Sequence, residues 1–216
     1  MRGDLCVKLI MLLCEGMVVS IELFLLTLVF ALPLGLIISF CRRSKNLIMS
    51  GIAGIYISIM RGTPLMLQLV AVYFGPSYVF HVKIDRFLAA VIALVLNYAA
   101  YYAEIFRGGI DSIPKGQYEA GEVLGFTKVQ VFFKIVLPQV VKRILPAISN
   151  EVITLVKDTA LVTAIGIIEI YRIATNEMSR IGSMQPVFIA GAFYYVMNLI
   201  VAKLFGFAEK KLNYYR

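Results

Sequence analysis

Five long apolar runs, at about 17–40, 47–74, 87–106, 147–170 and 186–207, leave this chain few folds to choose from. In a helix rising about 1.5 Å per residue, each is long enough to cross a hydrocarbon core of roughly 30 Å. Backbone polar groups cannot go unpaired in lipid, so runs of this kind fold as helices. Sixty per cent of the 216 residues are hydrophobic and 16% are charged, which excludes an ordinary soluble domain. The expectation is an all-α integral membrane protein with about five transmembrane helices, crossing the cell membrane several times as a single domain over 1–216. Residues 1–16, with Leu5, Leu9, Leu12 and Leu13 on one side, read as an interfacial lead-in. The apolar stretch near the N-terminus is too long for a cleaved signal peptide and lacks a small-x-small cleavage site, so it stays as a membrane element.

The basic residues set the expected orientation. They do not form a stripe, as a nucleic-acid surface would require, but sit in short connections between apolar runs. Arg42, Arg43 and Lys45 follow the first run. Arg107, Lys115, Lys128, Lys134, Lys142 and Arg143 lie in the long middle loop, and Lys203, Lys210, Lys211 and Arg216 at the end. The opposite side receives only Arg2, Lys8, Lys83, Arg86, Arg172 and Arg180. Lysine and arginine favour the cytosolic side, so the N-terminus is expected outside and the C-terminus inside. Prolines in or at the start of apolar runs (Pro33, Pro64, Pro186) free the carbonyl four residues earlier, predicting kinks near Val29 and Met60.

Catalytic and metal chemistry find little support. The cysteines Cys6, Cys14 and Cys41 lack ligand spacing and His81 is the lone histidine, so neither a metal site nor a cysteine–histidine nucleophile is expected. No G-x-x-x-x-G-K-[ST] run occurs, so the chain has no P-loop.

Polar groups within the apolar runs stand out because charge at membrane depth is costly and is there for function or for pairing. Arg61 and Thr63 precede Pro64, and Gln68 would share a face with Arg61 if the kink at Pro64 is mild. Asn97, Tyr101 and Glu104 form a second stripe, with Glu104 beside Arg107 reading as interfacial or gating. Glu151, Thr154 and Asp158 form a third, beside Lys157. A zwitterion needs both charges matched in a dry pocket: Arg61 or Lys157 for a carboxylate, Asp158 for an ammonium. The competing expectation is that these groups only pair with one another.

The middle loop, about 108–142, has the composition of short helices beneath the membrane. Gly125 is placed to take a positive φ and end one helix; Lys128–Val136 restarts the pattern and Pro138 interrupts it. The result is a cytosolic helix–turn–helix. Its residues run Glu119-Ala120-Gly121, three residues, Gly125, nine residues, then Ile135-Val136-Leu137-Pro138. This resembles the "EAA" loop of ABC importer permeases: Glu-Ala-Ala, three residues, Gly, nine residues, Ile-x-Leu-Pro. The departure is Gly121 in place of the second alanine, which keeps close approach but loosens a helix by roughly 1 kcal/mol. Arg61-Gly62-Thr63-Pro64-Leu65, the stretch Ala103–Ile110, and Asn150-Glu151 followed by Lys157-Asp158 look like the polar amino-acid uptake branch, which handles arginine-, histidine-, glutamine-, glutamate- and cystine-type solutes.

The resemblance implies a transport subunit without catalysis of its own. It implies a pair of ATP-binding subunits that hold ATP and Mg and dock on Glu119, Ala120, Gly121, Gly125, Leu137 and Pro138. It also implies an extracytoplasmic solute-binding protein, a second copy or a related permease, and an amino-acid substrate held around Arg61, Thr63, Gln68, Asn97, Lys157 and Asp158. No cofactor in this chain and no nucleic-acid partner are expected. Two other readings remain. A membrane enzyme would need a nucleophile–base pair or a carboxylate–metal set at depth. An ion-gradient-driven carrier often shows two similar halves, which are not evident here, and a membrane scaffold would need neither feature.

Overall fold

The computed structural model describes residues 2–212, with side chains from residue 7 onward, and the expectations for Arg2, Leu5, Cys6 and Arg216 lie outside those descriptions. Every regular element among the described residues is helical. The order is α1 (Arg2–Arg42), α2 (Leu47–Gly62), α3 (Leu65–Phe80), α4 (Arg86–Asp111), α5 (Lys115–Val123), α6 (Lys128–Gln130), a π turn (Val131–Val136), α7 (Leu137–Asp158), a 3-10 turn (Thr159–Ile165), α8 (Ile170–Ile181) and α9 (Gln185–Leu212).

The helix at the centre is α4. It is alanine-rich on more than one side: Ala90, Ala93 and Ala99 are buried with Tyr98 and Tyr102 in the main core, and Ala100 and Ala103 against Ile57 of α2. Small residues let helix backbones approach closely where lipid gives no hydrophobic drive to associate. At the α1–α4 crossing, a Cβ on Gly35 would come within 2.7 Å of Tyr102 Cβ and 2.9 Å of the Ala99 carbonyl. Leu23 and Ala31 of α1, Leu69 of α3, Val152 and Leu155 of α7, and Met197 of α9 close the same core. Gly35→Val should therefore push α1 off α4 and cost about 1–3 kcal/mol by overpacking, read as a lower unfolding temperature of the purified chain.

Among the described residues, three helices (α1 from Val7, α4 and α9) are long and apolar enough to cross a membrane, or four spans if the bent pair α2–α3 counts as one. Their outward faces stay apolar: Val29 on α1 and Phe188, Leu204 and Phe207 on α9 are more than half exposed, as lipid-facing positions should be.

Four details differ from the sequence reading. The expected lead-in is not separate: from Arg2 onward it is part of α1, which also runs on through Pro33, and Leu9 and Leu13 pack on Ile170, Ala174 and Ala190. The run at 47–74 is broken at Thr63-Pro64, where α2 and α3 meet at 110°. Far from a mild kink, this places Arg61 and Gln68 on different helices. Pro138 does not interrupt its helix; the chain is helical from Lys128 to Asp158. There the preceding turn widens, Leu137 donating to the Phe132 carbonyl five residues back, so the ring is accommodated without a break. Finally, the run at 147–170 is not one helix: α7 ends at Asp158, and a 3-10 turn closed by Gly166 follows.

Candidate functional site

Two places gather the polar residues. The first is the loop formed by α5 and α6. Helix α5 ends in a Schellman turn: Phe126 N donates to the Gly121 carbonyl and Gly125 N to the Glu122 carbonyl, both at 3.0 Å, with Gly125 at φ 77°. Satisfying the last carbonyls this way requires a left-handed residue, which glycine supplies without a Cβ clash. Thr127 then starts the next helix with a capping box, its hydroxyl accepting from Gln130 N while the Gln130 side chain accepts from Thr127 N.

Beneath this turn, Ile113, Val131, Val136 and Val140 make a small core of their own. Gly121 is buried against it, and a Cβ there would meet Val131 Cγ2 at 2.6 Å. The glycine that departs from the usual alanine thus sits where α5 presses directly on the π turn. Glu119 and Ala120 are exposed on the outer side, Leu137 and Pro138 are half-buried at the start of α7, and Val123 and Leu124 at the tip are 88% and 72% exposed. The loop is a rigid knob with an apolar tip and acidic flank, supported from below by its own core.

The second place is the junction of the α2–α3 break, the middle of α4 and the end of α7. Pro64 deprives the Met60 carbonyl of its helical donor. Gln68 Nε2 and Asn97 Nδ2 donate to that carbonyl instead, at 2.9 Å and 3.1 Å. Gln68 also donates to Thr63 Oγ1 at 2.8 Å, and Asn97 to Gln68 Oε1 at 2.9 Å. Thr63, Gln68 and Asn97 are therefore brought together, and their amides stabilise the break. Asn97→Leu should leave Gln68 Oε1 without its donor and lower stability by about 1–3 kcal/mol, measured as a shift in the unfolding transition.

Arg61 lies at the rim, exposed, its guanidinium over the Tyr101 ring at 5.2 Å and 3.9 Å from Glu104. Glu104 takes a fork of hydrogen bonds from Arg107, which also reaches Asp111, which pairs with Arg43. This ionic ladder descends α4 towards the knob. On the other wall, Asp158 is half-buried and accepts from the Tyr98 hydroxyl at 2.7 Å. Glu151 lies within electrostatic reach of both Arg61 and Asp158. Lys157, next to Asp158, is exposed, and no ion pair joins it to Asp158 among the described residues. The junction thus presents Arg61 on one side and two carboxylates on the other.

Two residues escaped the sequence reading. Tyr98 reads as an aromatic in an apolar helix, and its hydroxyl acquires a role only when α7 docks. Glu169 is fully buried, accepting from Tyr171 N and Arg172 N at 2.8 Å each and from the Tyr194 hydroxyl at 3.0 Å. The signal was a lone acid inside Ile167-Ile168-Glu169-Ile170, just where a helix could begin and need a cap.

Residues 31–214 match the family described as "binding-protein-dependent transport system inner membrane component". The chain belongs to that family. This permease is similar to the arginine transport system permease protein ArtQ of Bacillus subtilis (strain 168), 42% identical over 200 residues that cover 92% of this chain and 91% of that protein. It is also similar to the L-cystine transport system permease protein TcyB of the same organism, at 36% identity over 94% of this chain and 87% of that one. Among solved structures, it resembles a chain of an amino acid ABC transporter crystallised with histidines, with a TM-score of 0.87 and 35% identity over 95% and 96% of the two chains. The permease is accordingly the membrane subunit of an ABC importer, an inner-membrane component. Hydrolysis of ATP belongs to a separate subunit, and coupling to that ATPase and dimerisation are typical of the family.

Proposed function

We propose that this permease passes an amino acid inward along a path it forms together with a second copy or a related permease. A pair of ATP-binding subunits, carrying ATP and Mg, docks on the knob at Glu119, Ala120, Gly121 and Gly125, with Leu137 and Pro138 passing its motion into α7. An extracytoplasmic binding protein delivers the solute. The proposed topology is five crossings, with the N-terminus outside and the C-terminus inside. The distribution of lysine and arginine supports it, and it puts the knob on the cytosolic side where a motor would be.

The observation that carries the reading is the knob: an apolar, acidic-flanked tip (Val123, Leu124, Glu119) on a turn that only a left-handed residue permits. The solute would sit at the junction, its carboxylate towards Arg61 and its ammonium, or a cationic side chain, towards Asp158 with Glu151 behind. Thr63, Gln68 and Asn97 shape the adjoining wall, and Lys157 flanks it. Relatives named for arginine, glutamine, octopine and cystine transport support an amino acid or a derivative as the cargo. An alternation between outward- and inward-open arrangements follows if closure of the motor pair draws two such knobs together.

The test is reconstitution. The tagged permease, purified from native membranes in mild detergent, is expected to bring a P-loop ATPase with it, and proteoliposomes should accumulate labelled amino acid with ATP and the binding protein present. Uptake that instead follows a proton or sodium gradient, without ATP, would replace this reading with a secondary carrier.

A further inference from the structure

A cavity of about 500 Å³ lies at the corner where α3 gives way to α4, lined by Tyr73, Phe74, Ser77, Lys83, Asp85 and Arg86. It is separate from the Asp158 junction: Arg86 and Tyr98 stand a dozen residues apart on α4, about 18 Å of helix rise. The Tyr73 and Phe74 rings meet edge to face, 4.6 Å between centroids. The Arg86 guanidinium lies over Tyr73 at 5.9 Å, donating from Nε to the Tyr73 hydroxyl at 3.1 Å and from Nη1 to the Gly166 carbonyl at 3.4 Å. Gly166, at φ 82°, would place a Cβ 3.1 Å from Nη1. The backbone is thus shaped to admit this guanidinium.

These contacts hold the planar fork in place while leaving its Nη2 edge available. Neither Arg86 nor Lys83 has a carboxylate within ion-pair distance among the described residues. Asp85 spends Oδ1 on capping α4 through Leu88 N at 3.1 Å and leaves Oδ2 available. A small space therefore offers two cations, one anion, a hydroxyl and an aromatic wall. A fixed guanidinium can still offer its Nη2 donors to a carboxylate in a charge-assisted hydrogen bond, and the volume is in the range of small-molecule pockets, about 300–1,000 Å³.

We infer that this cavity is a second amino-acid site, a receiving site ahead of the Asp158 junction, with the solute's carboxylate on Arg86 and Lys83 and its ammonium on Asp85. The inference rests on the amino-acid reading above. Its exposure keeps it weak, because water screens the charges, and a weak site is what a hand-over step needs. It is also connected to the junction: the 3-10 turn that Gly166 closes begins directly after Asp158, so a ligand on Arg86 acts on the segment that carries Asp158.

The experiment takes the intact transporter, permease with its ATP-binding subunits, in lipid nanodiscs. Equilibrium binding is measured with radiolabelled L-arginine, L-glutamine and L-cystine in turn. Two solute molecules per permease chain are expected. The double variant K83Q/R86Q should weaken one of the two sites tenfold or more, and D158N should remove the other. Lys83→Gln alone, on an exposed loop, guards against a folding defect and should weaken the same site severalfold. Where arginine binds, its decarboxylated analogue agmatine should displace it more readily from the Asp158 site, with one cation and two carboxylates, than from the Arg86 site, with two cations and one carboxylate. A single solute per chain, lost in D158N and unchanged in both cation variants, overturns the second site and leaves the amino-acid reading standing. Binding with no Asp158-dependent component overturns that reading, and the receiving site with it.

Discussion

Gly125→Val is expected to cut ATP-driven uptake about 5–30-fold while the permease still inserts in the membrane at normal level. The native φ of 77° belongs to the left-handed region, where an L-residue pays roughly 1–2 kcal/mol and a β-branched one is a true outlier. The strain cannot be relieved without losing the two turn hydrogen bonds from Gly125 N and Phe126 N, which fix how α5 meets α6. The core under the knob (Val131, Val136, Val140) does not involve Gly125, so the fold should survive and the docking geometry should not. The measurement compares uptake with ATP hydrolysis in the same proteoliposomes: hydrolysis continuing while uptake fails marks lost coupling. Gly125→Asn serves as the control, since asparagine tolerates this conformation, and should keep most of the activity. Equal loss in both variants would mean that side-chain bulk at the interface matters, not backbone conformation.

Asp158→Asn should lower uptake about 10–100-fold, the loss of one charge-assisted contact of about 1.5–3 kcal/mol. The substitution keeps the shape of the side chain, and Asn Oδ1 can still accept from the Tyr98 hydroxyl, which lies 2.7 Å from the native carboxylate. Assembly with the ATPase should be unchanged. Tyr98→Phe makes the complementary change: it keeps the charge and removes the hydrogen bond, and a much smaller loss is expected. If Asp158→Asn transports normally and Tyr98→Phe does not, the carboxylate is a structural acceptor and the solute is held elsewhere.

The contrast between Pro64 and Pro138 shows where sequence reasoning reached its limit. Both prolines remove a donor and strain the carbonyl four residues earlier, and the kink near Met60 followed from that alone. Its size did not. At Pro64 the stranded Met60 carbonyl is served by Gln68 and Asn97, so the chain is free to turn through 110°. At Pro138 the backbone widens by one residue per turn and goes straight on. Which outcome occurs depends on side chains that arrive from elsewhere in the fold, Asn97 being 33 residues further along than Pro64. Local features fared better. The positive φ of Gly125 and the restart of helix at Lys128 were legible because each rests on a few neighbouring residues. Of the polar stripes, the sequence indicated the helices but not the partners: Asp158 meets Tyr98, and Arg61 meets Tyr101 and Glu104, only through tertiary packing.

The unbroken helical path from Lys128 to Asp158 has a mechanical meaning. Its 31 residues form a shaft of roughly 46 Å, with the knob at one end and Asp158 at the other. It departs from regular α-helical bonding at the wide turn Val131–Val136, set beside Gly121 where α5 presses on it, and again at Pro146 within α7. If the motor docks on the knob as proposed, a shaft jointed near its driven end would pass on a full closure of the motor more readily than a small displacement.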